Sequence, residues 1–457
     1  MLAGDQSITR DLSLSRTDFK PFFISSRFQA GKHSLHLHQT TSQKPHETCD
    51  SFLMVCIIIP RSRLQVVIWL SPIRRKSNMA DYLPSELIVK ILSRLPSKSL
   101  LRCRSVCKSW KSLISSPEFI QTHLHNFNQL NSRNIVRCCL QPENREAYTV
   151  HLDDQHLTLD TPIDFPFSLT PDDYNYGNPF FTRIGCCNGV ICLYNAASTR
   201  NEILLWNPSI RRKVTITPPV QPYRNYNRDH IFVFGFGYCN ISDDYKVVRL
   251  VCDGITFSDR PEVEIYTVKT ATWKTIMFPQ DSRFCRILGD RSHVFLNGCV
   301  HWLAGDRDIS QSSILTLDIS TELFGEIQLP DFHVKCPSMP VTISVVGDSL
   351  GLIYSFRPLF VCSSDYKVLV MKEYKIPTSW TLIYEVHFPD IDLGRPLKLR
   401  NNGDLITRSS SCNLMIYNKE AGCYIVDGCC RKGDELYSIS IDGYQESLAL
   451  LDVGSDS

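Results

Sequence analysis

From Leu83 onward the apolar positions fall at Leu83, Leu87, Ile88, Ile91, Leu92 and Leu95, offsets of 4, 5, 8, 9 and 12 that share one helix face. Pro84 suits a first helical turn, where its missing N–H would lack a partner anyway, and Glu86 complements the positive end of the helix dipole. Pro96 stops this helix. Ser97 is expected to cap a second one carrying Leu100, Leu101 and Cys103. Val106, Cys107, Trp110, Leu113 and Ile114 repeat the spacing, and Ser116-Pro117 opens a fourth helix with Phe119, Ile120, His123 and Leu124 turned inward. Residues 79–128 therefore read as a block of three or four short amphipathic helices. So small a block buries too little surface to be comfortably stable alone, and it is expected to lean on a partner or on the next domain.

Past residue 130 the period changes to short apolar runs separated by Gly, Asn, Asp and Pro, the signature of strands and tight turns. Turn-then-strand segments begin at Asn188 ("NGVICLYN"), Asn297 ("NGCVHWLAG"), Gly347 ("GDSLGLIYSF") and Asn402 ("NGDLIT"). Gly189 to Gly298 spans 109 positions and Gly298 to Gly403 spans 105, with Asp348 between them. The unit is thus ~50 residues, in the range of kelch-like propeller blades. Each unit continues as strand, polar turn, strand, with an aromatic opening the last strand at Trp273, Phe324 and Trp380. These aromatics are expected to pack blade on blade. In "FGFGYCNISDDYKVVRL" from Phe234 the Asn-Gly is missing. Five units are legible, and a sixth is predicted to join "ELYSISIDG" near the C-terminus to "NIVRCCLQPENREAYTVHL" from Asn134, closing a ring. The predicted fold is α+β and multidomain: a helical block at 79–128, then an all-β propeller of six blades over 129–457. A β-sandwich is the alternative, since regular short strands suit both.

Residues 1–78 have no sustained period. Their apolar runs, "FLMVCIII" and "LQVVIWL", fall short of the ~20 residues a spanning helix needs. This segment is expected to be a disordered or non-native extension, with Met79 as the usual start. The formal charge of +2 offers no whole-chain attraction for nucleic acid or a membrane. The 19 cysteines show no C-x-x-C and no zinc spacing, so they are expected to be reduced thiols in a cytoplasmic or nuclear protein. No P-loop or H-E-x-x-H occurs. His293 and His301 flank one strand pair without counterparts in other units, which leaves a copper-type propeller oxidase as a remote alternative. No catalytic residue, cofactor site or metal site is predicted.

The stretch "LPSELIVKILSRLPSKSLLRCRSVCKSWKSLISSPEF" resembles a plant-type F-box. "GCCNGVICLYN", "LLWNPSIRR", "FGFGYCNISDDYKVVRL", "EIYTVKTATWK" and "VFLNGCVHWLAG" resemble the F-box-associated domain of plant F-box proteins. The resemblance implies a non-catalytic subunit of a Skp–cullin–F-box ubiquitin ligase. Its F-box would dock a Skp-type adaptor, and through it a cullin, while the β domain would bind an unknown target protein. Carried over by position, the adaptor contacts are Leu83, Pro84, Leu87, Ile91, Leu92, Leu95, Leu100, Val106, Cys107 and Trp110. Each also reads as internal core of the helical block. Lys90, Arg94, Lys98, Arg102, Arg104, Lys108 and Lys111 outnumber the acids there, as a solvated face or as steering toward an acidic partner. An F-box module acting outside a ligase is the alternative function.

Overall fold

The computed structural model describes residues 85–451, apart from 130–131, 142–143, 168–179, 196–200, 220–229, 254–259, 306–311, 331–340, 357–363, 389–392, 410–413, 426–434 and positions 281, 283, 285, 419 and 421. Nearer the N-terminus only the backbone of four strands is described: Phe23–Gln29, Lys32–His38, Ser51–Ile58 and Gln65–Pro72. They form one antiparallel sheet in which the two apolar runs pair with each other.

Residues 133–444 form six four-stranded antiparallel sheets. Blade 1 comprises Thr182–Cys187, Val190–Tyr194, Ile203–Asn207 and Arg212–Ile216. Blade 2 comprises His230–Cys239, Asp244–Asp253, Glu262–Thr267 and Thr272–Ile276. Blade 3 comprises Arg286–Leu296, Cys299–Gly305, Ser312–Asp318 and Phe324–Gln328. Blade 4 comprises Val341–Val346, Ser349–Phe356, Ser364–Met371 and Trp380–Phe388. Blade 5 comprises Leu393–Leu399, Leu405–Ser409, Leu414–Asn418 and Gly422–Ile425. In blade 6 the C-terminal strand Glu435–Tyr444 supplies the innermost position and pairs with Arg133–Gln141, which continues into Arg145–Leu152 and Leu159–Ile163. Neighbouring innermost strands touch all the way round, so the ring is closed. This is the six-bladed propeller, and separate four-stranded blades exclude the sandwich.

The apolar core is divided among six seams, one between each pair of adjacent blades. In blade 1 Val190, Cys192 and Tyr194 enter the seam with blade 2, whereas Ile191 and Leu193 enter the seam with blade 6. A strand covered on both faces needs no polar alternation, which is why "VICLY" reads as an unbroken apolar run. The outermost strand Arg212–Ile216 alternates, because one of its faces meets water.

The first-to-second-strand turns sit where the repeat predicts them. Asn188-Gly189 and Asn297-Gly298 have φ of 49°, 77°, 50° and 75°, the left-handed pair of a type I′ hairpin. Blade 2 replaces that pair with residues 240–243, in which Asp243 takes φ 49°. Its Gly235 and Gly237 serve a different purpose. A Cβ at Gly235 would overlap Trp302 and one at Gly237 would overlap the Phe295 ring, so the bare strand lets blade 3 seat its aromatics. Trp302 Nε1 also donates to the Phe234 carbonyl (2.7 Å).

The recurring aromatics clamp blades together. Trp273 Nε1 of blade 2 donates to Thr217 O beyond blade 1 (3.3 Å), and Trp380 Nε1 of blade 4 donates to Gln328 O of blade 3 (3.1 Å). Phe324 of blade 3 meets Phe278, beyond the end of blade 2, edge to face at 5.2 Å. His301 Nδ1 donates to Val294 O and its Nε2 accepts from Tyr374 OH (2.9 Å), whereas the Nε2 of His293 is buried without a hydrogen-bond partner among the described residues. Burial pushes His293 down to about 3 and His301 to about 4, so both are neutral.

Candidate docking site

The helical block has four helices: α1 Ser85–Leu92, α2 Ser97–Cys103, α3 Lys108–Ser115 and α4 Pro117–Asn128. Ser116 Oγ caps α4 by accepting from Phe119 N (3.2 Å), with Pro117 in the first turn. Ser97 is not the cap of α2 that the sequence suggested but its first residue. The cap position belongs to Pro96, which has no side-chain acceptor, and the Ser97 N–H is instead taken by Glu446 Oε1 at 2.6 Å. Val106 and Cys107 lie in the turn before α3 and not inside a helix, because the chain at Cys107 is extended.

The inner face of the block closes around Leu92, Leu95, Leu100, Cys103, Ile114, Phe119, Leu124 and Phe127. His123 lies buried between the Phe119 and Phe127 rings, its Nε2–H donating to Leu95 O (2.9 Å). Burial lowers its pKa to about 4, so the neutral imidazole is the species packed there.

This packing divides the expected adaptor contacts. Leu92, Leu95 and Leu100, with 2, 7 and 0% of their surface exposed, are used up in the block's own core. They support the helices, and little of their surface faces outward. Leu87 is 44% exposed and Cys107 is exposed, while Ile91, Val106 and Trp110 are half-buried. Leu83 and Pro84 lie outside the described residues. Lys90, Arg94, Lys98, Arg102, Lys108 and Lys111 are exposed, against Glu86 and Glu118, so the basic face belongs to the surface. Arg104 is half-buried.

The block sits on the propeller rim that carries the tight turns. Glu446 accepts from Ser97 N and pairs with Arg133 (3.2 Å), whose guanidinium lies over the Phe127 ring. Asn128 exchanges two hydrogen bonds with the Glu446 backbone (2.9 and 3.0 Å). Gln121 Nε2 donates to Tyr238 OH of blade 2 (2.8 Å). None of these partners has a local sequence signal. Glu446 lies 349 positions from Ser97, and only the closed ring brings them together.

The opposite rim carries the second-to-third-strand and blade-to-blade connections. At that end of blade 4 a cleft is lined by Tyr354, Phe356, Asp365, Lys367, Glu385 and His387. Asp365 pairs with His387, and Lys367 pairs with Glu385 at 2.6 Å. Phe356 is 47% exposed beside them. "PYRNYNRDH" at 222–230, by its sequence a candidate exposed loop, lies, apart from the His230 backbone, outside the described residues. Among the described residues no group of three His, Cys, Asp or Glu side chains is placed to hold a metal ion, and no helix is long and apolar enough to cross a membrane. Ten described cysteines are free thiols, and burial pushes Cys103 up to about 11 and Cys187 and Cys252 to about 12.

The F-box associated beta propeller domain matches residues 141–449, well over half of the chain, and the F-box domain matches residues 81–122. Among curated proteins, F-box protein CPR1 of Arabidopsis thaliana is 29% identical over 327 residues, which is 67% of this chain and 73% of that protein. F-box/kelch-repeat protein At3g23880 of the same plant is 26% identical over 362 residues, 74% of this chain and 88% of its own. Among solved structures, TolB from Acinetobacter baumannii aligns with a TM-score of 0.39 at 12% identity over 72% of each chain, a likeness too remote to bear on function. The closed six-bladed ring, the helical block on its tight-turn rim and these matches agree: the chain belongs to the F-box-associated β-propeller family, with an F-box ahead of its propeller.

Proposed function

We propose that the chain is the substrate-recognition subunit of a Skp–cullin–F-box ubiquitin ligase and carries out no chemistry itself. The observation that carries this reading is the division within the helical block. Its inner leucines are consumed by its own core, yet Leu87, Cys107, Ile91, Val106 and Trp110 keep apolar surface amid exposed lysines and arginines. A monomer gains nothing from leaving such residues in water, whereas a partner with an apolar groove and an acidic rim would cover them. The adaptor would engage these residues together with Leu83 and Pro84, and it would bring the cullin. The target protein would bind the rim away from the helices, where the blade 4 cleft offers an exposed ring between paired charges. Transfer is then accelerated by proximity, because target and activated ubiquitin are held in one assembly. This role places the protein in the cytoplasm or nucleus.

Mixing the purified chain with a Skp-type adaptor tests the reading. Wild type is expected to form a stable complex, and Leu87→Ala to weaken it without changing the melting temperature. Absence of a wild-type complex would sink the ligase reading and favour an F-box module working elsewhere. Co-purification with the proteasome and neddylation inhibited names the stabilised target, and Phe356→Glu is expected to lose it while keeping the adaptor.

A further inference from the structure

The helical block is anchored at separated points. One is the strap that follows the last propeller strand. Glu446 takes the Ser97 N–H of α2 and the Arg133 guanidinium, and its backbone exchanges two hydrogen bonds with Asn128 at the end of α4. Ser447 and Ala449 carry the same strap onto blade 1, where Asn207 Nδ2 donates to Ser447 O (3.2 Å), Ser447 Oγ (3.1 Å) and Ala449 O (2.9 Å). Ala449 and Leu450 are buried in the seam between blades 1 and 2. The other anchor is Gln121 on Tyr238 of blade 2, whose hydroxyl in turn donates to Asp243. A single contact leaves a hinge, whereas separated contacts on different blades remove rotation about either one.

We propose that this clasp makes helices α2–α4 and the propeller one rigid body, and that Glu446 and Asn128 are positioning residues for ubiquitin transfer. The carboxylate accepts the first N–H of a helix whose cap position, Pro96, has no side-chain acceptor, so this amide is satisfied only when the helix is docked on the propeller. Rigidity matters because transfer occurs across a gap between target and activated ubiquitin, and a fixed angle restricts which lysines come within reach. The positioning role rests on the ligase reading above; the rigid body does not.

The full chain is tested as wild type, Glu446→Ala, Glu446→Gln and Asn128→Ala. Amide hydrogen exchange of the free chain is followed over residues 96–104. Glu446→Ala is expected to speed exchange in the first turn of α2 roughly tenfold or more, the loss of one charge-assisted hydrogen bond, with the blades unchanged. Glu446→Gln keeps an acceptor for the Ser97 N–H and is expected to stay close to wild type. Should Glu446→Ala fail to fold, Asn128→Ala removes the reciprocal pair, along with its own bond to Leu124 O, and carries the test. Unchanged exchange in Glu446→Ala, or in Asn128→Ala where that variant carries the test, overturns the clasp. In a complex reconstituted with adaptor, cullin and activated ubiquitin, the propeller lysines modified on the chain itself are then mapped. Wild type is expected to modify a restricted set, and Glu446→Ala a wider one at the same adaptor affinity. Faster exchange with an unchanged lysine set overturns the positioning role. If wild type does not bind the adaptor, the ligase reading and the positioning role fall together, while the exchange data still decide the clasp.

Discussion

A buried ion pair stands where blade 6 meets the start of blade 1, and its removal has a calculable effect. Glu146 of blade 6 accepts from Arg137 Nε (2.8 Å) and Nη2 (2.7 Å), from Tyr148 OH (3.0 Å) and from Phe181 N (2.8 Å) just ahead of blade 1. Arg137 returns a bond to Phe181 O. The two side chains are 9 and 4% exposed. Glu146→Ala leaves a guanidinium buried without its anion and an amide without its acceptor. Breaking such a pair costs about 3–5 kcal/mol, a large share of the ~5–15 kcal/mol that holds a domain folded. Replacing both partners by apolar groups, Arg137→Met with Glu146→Leu, removes the stranded charge. It leaves the Phe181 N–H and carbonyl and the Tyr148 hydroxyl short of these partners, about 1–3 kcal/mol for each unsatisfied buried group, and the N–H and the hydroxyl are orphaned equally in Glu146→Ala. The double variant is therefore expected to be more stable than Glu146→Ala alone. Urea unfolding followed by tryptophan fluorescence reads these losses as shifts of midpoint at constant slope. A loss below about 1 kcal/mol for Glu146→Ala, or a double variant as unstable as the summed singles, would refute the idea that a charge is trapped at this seam.

Four further outcomes are expected. Gly189→Ala and Gly298→Ala both place a Cβ at positive φ, but at Gly189 it overlaps the Gln445 carbonyl whereas at Gly298 it meets open space. Thermal melting should show a loss of about 1 kcal/mol at Gly298 and clearly more at Gly189. Leu100→Ala empties a fully buried site and should cost about 2–5 kcal/mol, whereas Leu87→Ala should stay within about 0.5 kcal/mol. His123 is held neutral in the fold with its pKa lowered to about 4, so the unfolded chain takes up its proton first. Its contribution is complete above pH 6.5 and is lost as pH falls toward 4, about 3 kcal/mol in all; His123→Gln should flatten that part of a stability-against-pH curve. For residues 1–78, proteolytic peptide mapping of the native protein is expected to find peptides from Met79 onward, and abundant peptides from upstream would refute the internal start.

The sequence alone determined the kinds of elements and how often they recur. Helical spacing marks the block, Pro96 punctuates it, and the Asn-Gly turns mark the first hairpin of blades 1, 3 and 5, because these preferences act within a few residues. The return of Trp273, Phe324 and Trp380 at one place in the unit made blade packing readable before any contact was visible. What one helix face does with its leucines was not readable: Leu87 stays in water while Leu92 and Leu95, on the same face, are buried, and periodicity cannot tell a core from a docking edge. Only the tertiary structure decided how the block is held. Ser97 looked like a cap by type and position, yet its own N–H is satisfied by Glu446 from the other end of the chain. The closing strand and the Glu446 clasp both join segments far apart in sequence. Their partners are selected by ring closure, which brings the two ends of the propeller side by side, and local pattern carries no record of such a meeting.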